Sequence, residues 1–125
     1  MGSVPRASAT RVELGRAGEK AAADLLRRRG YEVVGTGFRA RRGELDLICR
    51  RGAELVVVEV KTRTDHSFGT PAEAVGPRKR RALMAAAAEY RALADWHGII
   101  CYAVVALTVT TAGGFDAELI EDPFG

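Results

Sequence analysis

Three charged side chains have types and a spacing that could carry out acid–base or metal-assisted chemistry. Glu59 and Lys61 are two residues apart in an otherwise apolar stretch, residues 55–61, so on a strand they point to the same face. Asp46 lies opposite Glu59 if the apolar runs on either side of Gly52-Ala53 form a hairpin. Two adjacent carboxylates repel each other, and a hard divalent cation such as Mg²⁺ would compensate both. Metal-assisted hydrolysis is therefore one chemistry that this pattern indicates.

Two interpretations of these charges stay open at this point. In the first, a backbone carbonyl near Val60 joins Asp46 and Glu59 in holding one metal ion, and Lys61 orients or deprotonates a water. In the second, the charges form salt bridges on the solvent-facing side of an antiparallel sheet, where Lys61 neutralises one carboxylate.

The two strands that carry these side chains are predicted from residues 44–50 and 54–62. Glycine at the first position of a two-residue turn is typical of a type II′ hairpin, and such a turn at Gly52-Ala53 pairs residues whose numbers add to 105. One face of the hairpin is then apolar, because Leu45 faces Val60, Leu47 faces Val58 and Cys49 faces Val56. The other face pairs Glu44 with Lys61, Asp46 with Glu59 and Ile48 with Val57. A slip by one residue would scramble both faces.

The remaining elements follow from hydrophobic spacing and from glycine and proline positions. We expect helices at residues 11–29 and from Pro77 to about residue 95, further strands at 31–38, 99–107 and 115–120, and a loop at 63–76. Gly30 and Gly98 are expected to end the two helical segments, and the glycines of the first strand favour an edge position. The buried stripes are Leu14, Ala17, Ala21, Ala22, Leu25 and Leu26 on the first helix, and Leu83, Ala87, Tyr90 and Ala94 on the second.

This order of elements predicts an α/β protein with a mixed central β-sheet flanked by α-helices. The length of 125 residues fits a single domain. We expect a flexible leader at residues 1–10 and one domain at residues 11–125.

The composition excludes several classes of protein. A hydrophobic content of 47% argues against intrinsic disorder, and no apolar run reaches the roughly 18 residues of a membrane-spanning helix. Residues 1–10 lack the apolar core of a signal peptide, so a cytoplasmic protein is expected. Cys49 and Cys101 are far apart, and the chain has only two histidines, which argues against zinc and favours two buried thiols in a reducing compartment.

The charge is distributed unevenly along the chain. Residues 1–91 carry all 19 lysines and arginines against 11 acids, a net charge of +8, and residues 92–125 carry five acids and no base. A basic body is typical of proteins that bind a polyanion such as nucleic acid. A solvated basic surface is the alternative.

The motifs around the three charged residues resemble those of a known family. Asp46, 12 further residues and then Glu59-Val60-Lys61 resemble the PD-(D/E)xK nuclease signature. The wider pattern resembles the YraN-like family of small bacterial proteins, which is similar to archaeal Holliday-junction resolvases. It consists of residues 15–19 (GRAGE), 41–48 (RRGELDLI), 58–63 (VEVKTR), 68–75 (FGTPAEAV) and Lys79.

The resemblance implies a restriction-endonuclease-like fold and a nuclease site that depends on Mg²⁺ or Mn²⁺. By position, Asp46 and Glu59 are the implied metal ligands, Lys61 the catalytic lysine and Glu19 an additional acidic residue of the site. The alternative for Glu19 is a surface residue paired with Arg16 or Lys20. Gly15 and Gly18 cost about 1 kcal/mol each in a helix, so a close approach of the helix to the sheet or to a ligand would explain them.

Four basic residues are expected to contact nucleic acid: Arg41, Arg42, Arg63 and Lys79. Lys79 stands among Arg78, Arg80 and Arg81 at a helix N-terminus, where a DNA phosphate would offset the unfavourable dipole interaction. DNA is therefore the expected partner, and branched DNA one expected substrate. A junction resolvase needs two sites related by two-fold symmetry, so a homodimer is one arrangement considered. A nucleic-acid-binding module without turnover and a DNA-repair partner protein are the alternatives.

Overall fold

A computed structural model describes residues 11–64 and 76–124. In chain order the elements are α1 (Arg11–Arg28), β1 (Glu32–Arg39), β2 (Glu44–Arg51), β3 (Glu54–Arg63), α2 (Pro77–Ala94), β4 (Ile99–Val109) and β5 (Phe115–Glu121). The expected leader, residues 1–10, and most of the expected loop, including the motif at residues 68–75, lie outside the described residues. Neither helix in the described ranges is long and apolar enough to cross a membrane.

The five strands form one mixed sheet in the order β1-β2-β3-β4-β5. Neighbouring strands are antiparallel except β3 and β4, which are parallel and are connected through α2. The predicted α/β architecture with a mixed sheet and helices is confirmed, and it agrees with the restriction-endonuclease-like fold that the resemblance implied. β1 is an edge strand, as its glycines indicated, and its register shifts between Val33 and Gly35.

Each face of the sheet is covered by one helix. Leu26 of α1 packs in one cluster with Leu47, Val58 and Leu107 of the sheet, all nearly inaccessible to solvent. The other cluster contains Leu83, Ala86 and Ala87 of α2, packed on the other side of the same strands. The predicted stripes are confirmed in the middle of both helices, but Leu14 near the start of α1 is only partly buried and Ala94, the last residue of α2, is exposed.

The ends of the helices follow local backbone chemistry. After α1, Gly30 has a φ of +89°, a conformation that glycine adopts at little cost, and the chain then enters β1. Pro77 is the first residue of α2, as predicted. The prediction that Gly98 ends this segment is wrong, because Asp95 closes the helix in the left-handed conformation and its N–H is directed to the last carbonyls.

The predicted hairpin register is confirmed over half of its length. Leu47 pairs with Val58, Ile48 with Val57 and Cys49 with Val56. On β2 the ladder with β3 runs only from Leu47 to Arg51. It does not include the expected pairs Glu44–Lys61, Leu45–Val60 and Asp46–Glu59. Leu45 correspondingly packs in the α2 cluster instead of joining Leu47 in the α1 cluster, so the expectation of one uniform apolar face is wrong at this position.

A polar cluster closes the end of the sheet that carries the β2–β3 turn. The Tyr31 hydroxyl donates to Glu121 of β5, and Arg51 donates to both, at 2.6 Å and 2.7 Å. Burial, together with the hydrogen bond to Glu121, raises the pKa of Tyr31 to about 12. These bonds tie the segment after α1 to the last strand, and hydrophobic spacing gave no sign of them. Cys49 and Cys101 are both free thiols; Cys49 is buried as expected, and Cys101 is partly exposed.

Candidate functional site

The candidate site lies where β2 and β3 separate. Beyond the Leu47–Val58 pair, the Asp46 side chain takes the place of the backbone ladder: Oδ2 of Asp46 accepts a hydrogen bond from the Val60 N–H at 2.8 Å. The prediction that a carbonyl near Val60 ligates a metal ion stays a prediction, and the structure shows that the Val60 N–H binds Asp46. This bond holds the Asp46 carboxylate beside Glu59.

Glu59 is a charged side chain in a buried position. It lies on the central strand β3, next to Val104 of β4, with 5% of its surface exposed. Burial raises the pKa of Glu59 to about 7, the hydrogen bond and charge repulsion with Asp46 act in the same direction, and Lys79 opposes them. The two carboxylates that the sequence placed together are therefore adjacent, and their repulsion is only partly offset.

Lys79 supplies a positive charge in contact with Glu59. Its Nζ lies 3.0 Å from Oε2 of Glu59, and its side chain is about one-third exposed. This Oε2 atom is buried and makes no well-aligned hydrogen bond within the described residues, so the contact is an ion pair. Burial lowers the pKa of Lys79, but Glu59, Asp46 and Glu44 together raise it above its usual value. The sequence assigned Lys79 to a phosphate contact, and the structure places it among the acids.

Glu19 reaches the same region from α1. Burial raises the pKa of Glu19, and repulsion from Asp46 and then Glu44 raises it further, so this carboxylate faces the acidic residues of β2. Lys20, one of the two partners considered for Glu19, pairs with Asp24 at 3.5 Å. The structure therefore places Glu19 near Asp46, while its proposed role in the site stays a prediction.

The two glycines before Glu19 differ in their surroundings. A Cβ on Gly18 would lie 2.4 Å from Oγ1 of Thr62, so Gly18 permits the close approach of α1 to the end of β3. A Cβ on Gly15 would meet nothing within 4 Å among the described residues. The expected close approach to the sheet is thus confirmed for Gly18 and not for Gly15.

The other predicted residues lie around this end of the sheet. Lys61 is the eighth residue of β3 and Arg63 is its last, and both are partly buried. Arg41 and Arg42 are exposed in the β1–β2 connection, which α2 anchors: the Arg41 N–H donates to Oε2 of Glu89 at 3.0 Å. A Cβ on Gly43 would lie 2.8 Å from the Ala82 carbonyl oxygen, so this connection also packs directly on the backbone of α2. Sequence reasoning missed Glu89 and this contact of Gly43.

The carboxylate oxygens of Asp46 and Glu59 are donors of the type that a hard cation prefers, and the proposed donor set consists of these two residues. Asp46 and Glu59 provide adjacent carboxylate oxygens, one of them a buried oxygen with no well-aligned hydrogen bond in the described ranges. In the described part of the chain, no group of three or more His, Cys, Asp or Glu side chains is arranged to hold a metal ion. Mg²⁺ commonly takes one or two protein carboxylates and keeps several waters, so two carboxylates meet its minimum requirement.

Two surface cavities lie away from these carboxylates. One, of about 470 Å³, is lined by the first turn of α2 with Arg80, Arg81 and Phe124. The other, of about 350 Å³, borders the Tyr31, Arg51 and Glu121 cluster. Neither of these two cavities is lined by Asp46 or Glu59.

Comparison with known proteins gives one consistent family. A family model described as "Uncharacterised protein family UPF0102" matches residues 18–116. A UPF0102 protein of Anaeromyxobacter dehalogenans is 49% identical over 80 residues, which cover 64% of this chain and 60% of that relative. A UPF0102 protein of Syntrophomonas wolfei is 50% identical over 78 residues, covering 62% and 68% respectively, and one of Symbiobacterium thermophilum is 48% identical over 79 residues, covering 63% and 67%. The matched segment thus spans about 60% to two thirds of these relatives.

Proposed function

The chain belongs to the uncharacterised protein family UPF0102, the YraN family, and from that premise we propose that it is a metal-dependent endonuclease that hydrolyses phosphodiester bonds in DNA. Branched DNA, as found in repair or recombination, is the substrate that the resemblance favours. Mg²⁺ or Mn²⁺ is the proposed cofactor.

The observation that carries this proposal is the adjacent pair of carboxylates at the separation of β2 and β3. Asp46 is fixed by the Val60 N–H, and Glu59 is 5% exposed on the central strand. Placing the buried Glu59 carboxylate beside the partly buried Asp46 carboxylate costs stability, because each loses hydration and repels the other. Retention of such a pair is expected where a function requires the charges.

Each residue has a distinct role in the proposed reaction. Asp46 and Glu59 would hold the cation, which would supply Lewis-acid chemistry for the phosphate and for the activation of water. Lys61 lies two residues after Glu59 on the same strand, and its proposed role is to orient the attacking water or to stabilise charge that develops on the phosphate. Glu19, directed at the acids of β2 from α1, is the proposed additional acid of the site.

The proposed nucleic-acid contacts lie on the segments that adjoin the strands of Asp46 and Glu59. Arg41 and Arg42 extend into solvent from a connection that α2 holds in place, and Arg63 lies at the end of β3. Positive side chains next to an acidic site allow a polyanion to approach carboxylates that would otherwise repel it. These three arginines are therefore the proposed phosphate contacts.

A nucleic-acid-binding module without turnover is the second candidate, and one observation favours it. The ion pair of Lys79 with Glu59 at 3.0 Å partly compensates the buried charge without any metal. In that case Asp46 and Glu59 are structural, and the arginines alone account for binding.

Cleavage of labelled duplex, single-stranded and four-way-junction DNA in Mg²⁺ and in Mn²⁺ separates these candidates. The nuclease proposal predicts cutting of at least one substrate by the unmodified protein and none by Asp46→Asn, with DNA affinity retained. Binding to all three substrates without cutting would favour the binding module. If the protein neither binds nor cuts any of them, both candidates fail and a role as a partner protein becomes the better account.

A further inference from the structure

The cation that contacts Glu59 in this structure is a side chain of α2. Nζ of Lys79 lies 3.0 Å from the buried Oε2 of Glu59. The negative charges of Asp46 and Glu44 also attract this ammonium group. Lys61, the lysine that the sequence motif placed beside Glu59, lies two residues further along β3. Lys79 therefore forms an ion pair with the carboxylate that the proposed metal ion would need as a ligand.

A metal ion and an ammonium group repel each other strongly at this range. The repulsion between charges a few ångströms apart is large in a partly buried setting, because water screens it less than in bulk solvent. Lys79 is about one-third exposed and has a long flexible stem, so it can withdraw from Glu59 toward solvent. Glu59 has no such freedom, since it is nearly inaccessible on the central strand.

We propose that Lys79 is a positioning residue that occupies Glu59 as a counter-ion before metal loading and weakens the affinity of the site for a divalent cation. This inference rests on the proposed function, because it takes Asp46 and Glu59 as the metal ligands. The ammonium that leaves Glu59 remains beside the loaded site, where an anionic phosphate is its natural partner. Lys79 thereby connects occupancy of the metal site to attraction of the substrate.

The test is the binding of Mn²⁺ alone, measured by electron paramagnetic resonance of the free ion, without DNA. At pH 8 we expect Lys79→Met and Lys79→Gln to bind Mn²⁺ about tenfold or more tightly than the unmodified protein, because each removes the competing charge. Lys79→Arg keeps the charge and is expected to bind as weakly as the unmodified protein. Arg78→Met removes one exposed positive charge from the neighbouring position of α2 and is expected to change the affinity by less than about twofold.

The outcomes separate this inference from the proposed function. Equal Mn²⁺ affinity in the unmodified protein and both neutral variants, with loss of binding in Asp46→Asn, would overturn the role of Lys79 and leave the metal site standing. Weaker binding in both neutral variants would also overturn it, since Lys79 would then support metal binding. Saturable binding that is unaffected by Asp46→Asn would place the metal elsewhere and overturn both proposals. Circular dichroism of each variant checks that the fold is retained, so that a change in affinity is not caused by unfolding.

Discussion

The Asp46 carboxylate accepts a hydrogen bond from the Val60 backbone N–H at 2.8 Å, across the point where β2 and β3 stop pairing. This contact satisfies a main-chain donor that the interrupted ladder would otherwise leave without a strand partner. It also fixes the direction of a carboxylate that lies beside buried Glu59. One side chain thus has a structural role and a proposed functional one, and substitutions can separate the two.

Asparagine and alanine at position 46 are predicted to differ in stability. Asp46→Asn keeps an oxygen that can accept from Val60, and it removes the repulsion with Glu59, so its free energy of unfolding should equal or exceed that of the unmodified protein. Asp46→Ala leaves the N–H without its acceptor and should be less stable than Asp46→Asn by about 1–3 kcal/mol. Urea denaturation at pH 7 measures both. Equal stability of the two variants would show that the hydrogen bond contributes nothing.

Glu59 is predicted to reduce stability at alkaline pH. Its pKa in the folded protein, about 7, lies above the ordinary value of 4.5, so the folded state favours the protonated form. The corresponding stabilisation is complete below pH 4.5 and is lost as the pH rises through 7. Glu59→Gln should therefore be about 1–3 kcal/mol more stable than the unmodified protein at pH 8 and nearly the same at pH 4. Exposed Glu32→Gln is the control, and the same gain in both variants would contradict the prediction.

The glycines of α1 are predicted to respond in opposite directions. Gly18→Ala brings a methyl group to 2.4 Å from Oγ1 of Thr62 and should cost about 1–3 kcal/mol of stability. Gly15→Ala meets nothing within 4 Å in the described residues and should stabilise the helix by about 0.5–1 kcal/mol. Thermal unfolding measures both. Removing the hydroxyl with Thr62→Ala should reduce the cost of Gly18→Ala, and an unchanged cost would show that this contact is not its cause.

The sequence was sufficient for the parts of this fold that depend on regular spacing. Alternation of apolar residues and the Gly52-Ala53 turn fixed the pairing of Leu47 with Val58, because both are local properties of two adjacent strands. The rule that paired residue numbers add to 105 failed at Asp46, where a side-chain hydrogen bond replaces the backbone ladder. Period-two patterning contains no information about such a replacement.

Contacts between segments that are far apart in the sequence could not be predicted from the spacing of apolar residues. Lys79 reaches Glu59 because of the position of α2 over the sheet, and the sequence shows only that Lys79 is one of four bases at a helix start. The bonds of Tyr31 and Arg51 to Glu121 likewise depend on the place of β5 in the strand order. Glu19, by contrast, was found from its motif, because the resemblance carried the long-range information that spacing lacks.

The arginines of the β1–β2 connection are predicted to supply phosphate contacts. If Arg41 and Arg42 each neutralise one phosphate, replacing both with glutamine should weaken DNA binding and reduce the slope of log affinity against log salt by about 2. Arg27 and Arg28, exposed at the far end of α1, provide the matched control with the same loss of charge. Fluorescence anisotropy over a salt series in EDTA measures the slope. An equal reduction of the slope in both double variants would contradict the prediction, because the overall positive charge and not specific phosphate contacts would then account for it.

The most direct measurement for the central claim is the rate of DNA cleavage as a function of Mn²⁺ concentration, for the unmodified protein and Asp46→Asn. Both proteins are first matched for folding and for DNA affinity in EDTA. The account predicts cleavage that saturates with Mn²⁺, stops in EDTA and falls by at least about a hundredfold in Asp46→Asn. Cleavage at the same rate by Asp46→Asn, or no cleavage of any substrate by the unmodified protein at saturating Mn²⁺, would contradict it.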